Sequence, residues 1–191
     1  KNFNLKEWLE KGIEIIPDLY TCLAEKFGKL GEDWEVLKAE EQLYEPITEF
    51  TDVDKKFKGF IDLVIMSKKD KKVHLIDWKT CSWGWQPQKK NDKILSYQLV
   101  FYKHFWSKKY DVDPKDIECH FVLLKRTAKA GKKAEFVRVT AAKKRTTDAL
   151  ALLTKALSNI EKKNYTKNRS ACVSCKDRFG TCEFYKSKHC T

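Results

Sequence analysis

The stretch from Phe57 to Thr80, FKGFIDLVIMSKKDKKVHLIDWKT, constrains the fold more than any other part of the chain. Two apolar runs, Ile61 to Ile65 and Val73 to Ile76, flank the polar segment Ser67 to Lys72, which is the pattern of two buried strands joined by a turn. Asp62 falls on the first strand, Asp77 and Lys79 on the second. Strand side chains alternate between faces, so Asp77 and Lys79 share one side and Trp78 takes the other. Charges on buried strands cost several kcal/mol (roughly 2–7 for a polar group without partners) unless they are paired or bound to metal. An acid two residues before a lysine is common in so charged a chain, as at Asp54/Lys56, Asp70/Lys72, Asp113/Lys115 and Glu161/Lys163. Only Asp77/Lys79 closes an apolar strand. A structural ion pair at a strand end is the alternative to a functional site there.

Around this hairpin the chain reads as a mixed sheet flanked by helices. Residues 4–30 have helical apolar spacing on both sides of Pro17, which predicts two helices, the second from about Asp18 to Phe27, with Gly28 and Gly31 beyond it. Cys22 lies on that second helix; taken alone it reads as a small buried apolar group. Residues 34–50 read as a strand that Pro46 ends or demotes to an edge. Glu40 and Glu41 point to opposite faces of it, so at most one can look toward Asp62. Gly59, three residues before Asp62, lets the backbone bend or another group approach closely.

After Lys79, residues 80–93 read as an exposed loop in which Trp83 and Trp85 bracket Gly84. Tryptophans among cations suit base stacking, or else cover the core. Residues 94–106 form an amphipathic helix that places Gln98 and Tyr102 one turn apart on one face. Strands follow at 118–126 and 134–140, then a helix at 142–163 with Leu150, Leu153, Leu157 and Ile160 as its apolar stripe. The fold class is α/β: a central mixed β-sheet flanked by helices. With 191 residues, 42% of them hydrophobic, the chain suits one domain with a real core.

Two carboxylates beside one ammonium suit a hard divalent cation, Mg²⁺ or Mn²⁺, which takes oxygen ligands and often only one or two protein carboxylates. Such a site supports metal-assisted phosphodiester hydrolysis. The net charge of +12 favours a polyanionic partner, with nucleic acid the commonest, over a merely basic and soluble surface. No apolar run approaches the ~20 residues of a membrane span, so no membrane partner is expected. Lys1 rather than Met opens the chain, which is expected to be part of a longer polypeptide.

Gly59-x-x-Asp62, Ile76-Asp77-Trp78-Lys79-Thr80 and Gln98-x-x-x-Tyr102 together resemble the PD-(D/E)xK nuclease superfamily, in its RecB/Cas4-like exonuclease branch. The resemblance implies a restriction-endonuclease-like core. It implies that Asp62, Asp77 and the Trp78 carbonyl ligate the metal, that Lys79 assists the attacking water, and that Gln98 and Tyr102 contact DNA or hold the site together. Glu40 matches a glutamate often found before the first core strand of such chains. Many relatives carry a histidine ligand in an early helix, and here no histidine precedes His74.

Seven cysteines, four of them at 172, 175, 182 and 190, suit a reducing, cytoplasmic compartment and a cysteine-ligated centre better than a disulfide framework. The same resemblance implies a 4Fe-4S cluster on Cys22, Cys172, Cys175 and Cys182. Zn²⁺ on Cys172, Cys175, Cys182 and either Cys190 or His189 is the alternative. Residues 1–165 are expected to form the nuclease core with its amino-terminal helices, and 166–191 a cysteine-rich tail packed on it. The expected activity is a DNA exonuclease in replication, recombination or repair, and a complex acting there is an expected partner. A structure-specific endonuclease and a non-catalytic nucleic-acid-binding domain are the alternatives.

Overall fold

The structure is a computed structural model that describes residues 4–49, 55–164, 176–177, 180–181 and 185–187. Lys1–Thr154 form one compact unit and Lys155–Thr191 a second. The elements run α1 (Leu5–Phe27), β1 (Trp34–Pro46), β2 (Lys56–Ser67), β3 (Lys72–Cys81), α2 (Pro87–Lys90), α3 (Lys93–Tyr110), a 3-10 turn (Pro114–Asp116), β4 (Ile117–Lys125), β5 (Ala134–Val139) and α4 (Lys143–Glu161). Two two-residue strands, β6 (Lys176–Asp177) and β7 (Gly180–Thr181), pair with each other further on. Among the described residues, no helix is long and apolar enough to cross a membrane.

Strands β1 to β5 make one sheet in chain order. Pairing is antiparallel for β1–β2, β2–β3 and β4–β5, and parallel for β3–β4. The mixed, helix-flanked α/β sheet expected from the sequence is therefore present. α1 packs on β4 and β5, whereas α3 packs on β1 to β4. On the α1 side Leu23, Phe27, Trp34, Ile65, Ile76 and Val122 form a continuous core. The buried residues Leu99, Val100, Phe105 and Trp106 anchor α3.

The predicted break at Pro17 does not occur: α1 is one helix of 23 residues with Pro17 inside it. An interior proline forfeits a backbone hydrogen bond and costs about 3 kcal/mol. Tertiary contacts on both sides of Pro17 offset that cost. Glu14 pairs with Lys133 Nζ (2.7 Å) and the Asp18 carboxylate accepts from Lys133 N (2.7 Å), so both halves dock on the loop before β5. Asn4 caps the amino end by accepting from Glu7 N. Gly28 ends the helix at φ 86°, where an added Cβ would also lie 2.3 Å from the Asp33 carboxylate.

The segment after β3 divides in a way that the sequence left open. Trp83 is 78% exposed, but Trp85 is buried against Phe121, with Lys89 over its ring. The predicted stripe of α4 is only half-buried at Leu150, Leu153 and Leu157; the buried residue is Ala149, and Ile160 is exposed.

Candidate active site

Pairing of β2 with β3 ends at Leu63–Ile76, so Asp62 lies just beyond the ladder. Its carboxylate takes the place of a backbone acceptor: Oδ2 accepts from Trp78 N at 2.6 Å. That contact brings the Asp62 carboxylate beside the Asp77–Trp78 segment. The N–H and C=O of one strand residue project to the same side, which turns the Trp78 carbonyl toward Asp62 as well.

Asp77 is 3% exposed, on the face of β3 that α3 covers. Two groups contact it. Lys79 Nζ lies 2.6 Å from Oδ2, and Gln98 Nε2 donates to Oδ1 at 2.7 Å. Gln98 Oε1 accepts from Lys79 Nζ at 3.0 Å, and its Nε2 also donates to the Tyr102 hydroxyl at 3.0 Å. The amide orientation follows from these partners, because a flip would set oxygen against carboxylate and NH₂ against ammonium. Burial pushes the Asp77 carboxyl above its usual range; Lys79 pulls it back and the Asp62 charge adds to the rise.

Helix α3 reaches this spot because Asp92 caps it, accepting from Ile94 N and Leu95 N. Tyr102 is buried against Gly59, where a Cβ would come within 2.7 Å of Tyr102 Cε1. The sequence expectation of close approach at Gly59 thus has a specific occupant. Phe57 stacks on Phe105 two residues before it, with ring centroids 4.4 Å apart.

Glu40 lies across from Asp62, between the registered pairs Ala39–Leu63 and Glu41–Ile61. It is exposed and has a left-handed φ of 51°. Among the described residues no hydrogen bond or ion pair joins it to Asp62 or Asp77. Its neighbour Glu41 is buried and bound instead to Lys109 Nζ (2.6 Å) and the Tyr110 hydroxyl (2.5 Å). Burial raises the Glu41 carboxyl, and these two partners outweigh it to leave it below its ordinary range.

A divalent cation fits the donors present. Among the described residues Asp77 Oδ2 is buried without a directed hydrogen bond, and the Lys79 ammonium lies 2.6 Å from it. A second carboxylate approaches from Asp62, and all the donors are hard oxygens, as Mg²⁺ or Mn²⁺ requires. Cys22 is half-buried, and burial pushes its thiol upward. Cys172, Cys175, Cys182, Cys190 and His189 lie outside the described residues.

One cluster was missed by the sequence reading. His74, Glu118 and His120 offer ligand atoms that all lie within 4.8 Å of one another. The only signal was a Glu-x-His on β4, and without the register of β3 against β4 nothing ties it to His74. A family model described as the PD-(D/E)XK nuclease superfamily matches residues 6–183. Comparison with curated proteins gives no match.

Proposed function

Since the chain belongs to the PD-(D/E)XK nuclease superfamily, we propose that it is a divalent-metal-dependent DNA exonuclease acting in replication, recombination or repair. The observation that carries this reading is the closed circuit of Asp77, Lys79 and Gln98, with Tyr102 bound to Gln98 and Asp62 hydrogen-bonded to the adjoining Trp78 N–H. Asp62, Asp77 and the Trp78 carbonyl are the residues that would hold Mg²⁺ or Mn²⁺. The cation supplies Lewis acidity toward the phosphodiester and lowers the charge that opposes nucleophilic attack.

Lys79 is the counter-ion of Asp77, and its ammonium would orient the attacking water or steady the developing phosphate charge. Gln98 fixes the spacing of Asp77 and Lys79, because one planar amide binds both. Tyr102 holds Gln98 in turn, so both act as positioning residues; contact with DNA is a further role for either. Glu40, exposed opposite Asp62, would act only through a water or a second ion. Trp83, exposed on the loop after β3, would stack on a base of single-stranded DNA, and the +12 charge favours the backbone. By the same family resemblance, Cys22, Cys172, Cys175 and Cys182 would carry a 4Fe-4S cluster; Zn²⁺ on Cys172, Cys175, Cys182 and either Cys190 or His189 is the rival outcome.

The test is cleavage of end-labelled and circular DNA, single- and double-stranded, with Mg²⁺, Mn²⁺ or chelator. Metal-dependent shortening from ends, with circular single strands spared, is the expected result. Nicking of circles makes the enzyme an endonuclease. Asp77→Ala and Lys79→Ala should each abolish cleavage while leaving the circular-dichroism spectrum intact, and persistence of cleavage in both would overturn the assignment.

A further inference from the structure

We propose that His74, His120 and Glu118 form a second divalent-cation site, of the nitrogen-rich kind that takes zinc-class ions, on the sheet face opposite the carboxylate pair. The parallel register of β3 and β4 sets His74 beside Glu118 and Ile76 beside His120. All three candidate ligands therefore project from one face. It is the face toward α1, where Phe27 packs edge-on against His74 and Phe136 against His120. Asp77 and Lys79 leave β3 on the other side, toward α3. The two sites share a strand pair and nothing else.

His74 Nδ1 and His120 Nε2 are 3.1 Å apart, and Glu118 Oε2 is 3.7 Å from His120 Nε2. Two ligands each about 2.0–2.1 Å from a tetrahedral zinc are separated by roughly 3.3–3.4 Å, so both spacings bracket the ideal. A hydrogen bond between the two rings accounts for the first distance. It does not account for a carboxylate oxygen facing the same point. Both imidazoles are almost fully buried.

The surroundings resemble those of built metal sites. Ligating histidines usually turn their other ring nitrogen to a carboxylate; His74 Nε2 faces Asp70 Oδ2 at 3.8 Å, beyond hydrogen-bond distance. Glu118 Oε1 is held by Lys72 Nζ and by Arg138, each at 3.0 Å, which fixes the carboxylate and leaves Oε2 for the ion. Lys72, Glu118 and Arg138 also line a cavity of about 200 Å³ beside the Glu118 carboxylate. The ion would tie β3 to β4 on the side away from the reaction.

The test uses chelator-stripped full-length protein carrying Asp77→Asn, titrated with Zn²⁺ alone and followed by the ¹⁵N resonances of its histidine rings. Zinc should shift His74 Nδ1 and His120 Nε2 at one equivalent, leave His104 unmoved, and raise the melting temperature. Glu118→Gln, which keeps size and shape, should weaken that binding at least about 10-fold without changing the circular-dichroism spectrum. Ring resonances of His74 and His120 that do not respond to zinc, or equal affinity in Glu118→Gln, would reduce the cluster to a hydrogen-bonded histidine pair and overturn the proposal. Zinc taken up only by cysteines gives that same silent histidine spectrum and counts against it.

Discussion

Replacing Lys79 by Met removes the cation facing Asp77 while keeping a side chain of similar length, and the surroundings set the size of the loss. Asp77 is 3% exposed; with Lys79 gone, its one remaining directed bond comes from Gln98 Nε2. Removing one partner of a buried pair costs about 3–5 kcal/mol. The Lys79 side chain is 27% exposed, so water takes over part of its role and about 2–3 kcal/mol is expected. In a chain of this size that lowers Tm by roughly 4–12 °C. The sign of the pH dependence is also fixed. Burial already raises the Asp77 carboxyl, and loss of Lys79 removes the group that pulls it down. A carboxyl whose folded pKa is raised contributes stability that is present below its unfolded pKa and lost as pH rises through the folded one. The deficit of Lys79→Met should therefore vanish in acid, where Asp77 is protonated in both proteins, and open as pH rises toward neutrality. Urea unfolding in chelator across that range measures it. A deficit of equal size at every pH, or none at all, refutes the buried-pair reasoning.

Asp77→Asn should abolish cleavage and yet raise the stability of the metal-free protein at neutral pH, since it removes a carboxylate whose ionised form burial penalises; parallel melting and cleavage assays check both. Gly59→Ala drives a methyl to within 2.7 Å of the Tyr102 ring and should cost about 1–3 kcal/mol, a penalty that shrinks when Tyr102→Leu is added in a double-mutant cycle. Affinity for single-stranded DNA should fall linearly in log–log form with salt, with a slope of about −0.7 per phosphate neutralised, and a salt-independent affinity would remove charge from the account of binding.

The strand pair, the turn between its members and the helix carrying Gln98 and Tyr102 were legible because each rests on local patterning. Apolar runs of strand length, a polar turn and a one-turn spacing survive almost any tertiary setting. Pro17 was misread for the opposite reason. Its cost is local, but the contacts of Glu14 and Asp18 that offset it come from Lys133, more than a hundred residues away. Glu41 shows the same limit. Alternation could say that Glu40 and Glu41 face opposite ways, but not that Lys109 and Tyr110 would claim the second. Trp83 and Trp85 sit two apart in one loop, and only the position of Phe121 decides which is buried.

The parallel neighbours β3 and β4 explain why so much chemistry gathers on two strands. A parallel pair cannot be closed by a tight turn and needs a long crossover, here α2 and α3. That crossover lies over the face to which Asp77 and Lys79 point, so Gln98 meets both through the connection itself rather than through a separate element. The opposite face is left to α1, whose Phe27, with Phe136 of β5, walls in His74 and His120. Alternation along β3 then sorts donors by chemistry: a carboxylate and an ammonium toward the crossover, an imidazole toward the apolar helix. Moving β3 by one residue against its neighbours would exchange the faces and destroy both clusters together, so the register that buries Ile76 and Val122 under α1 also holds Asp77 beneath Gln98.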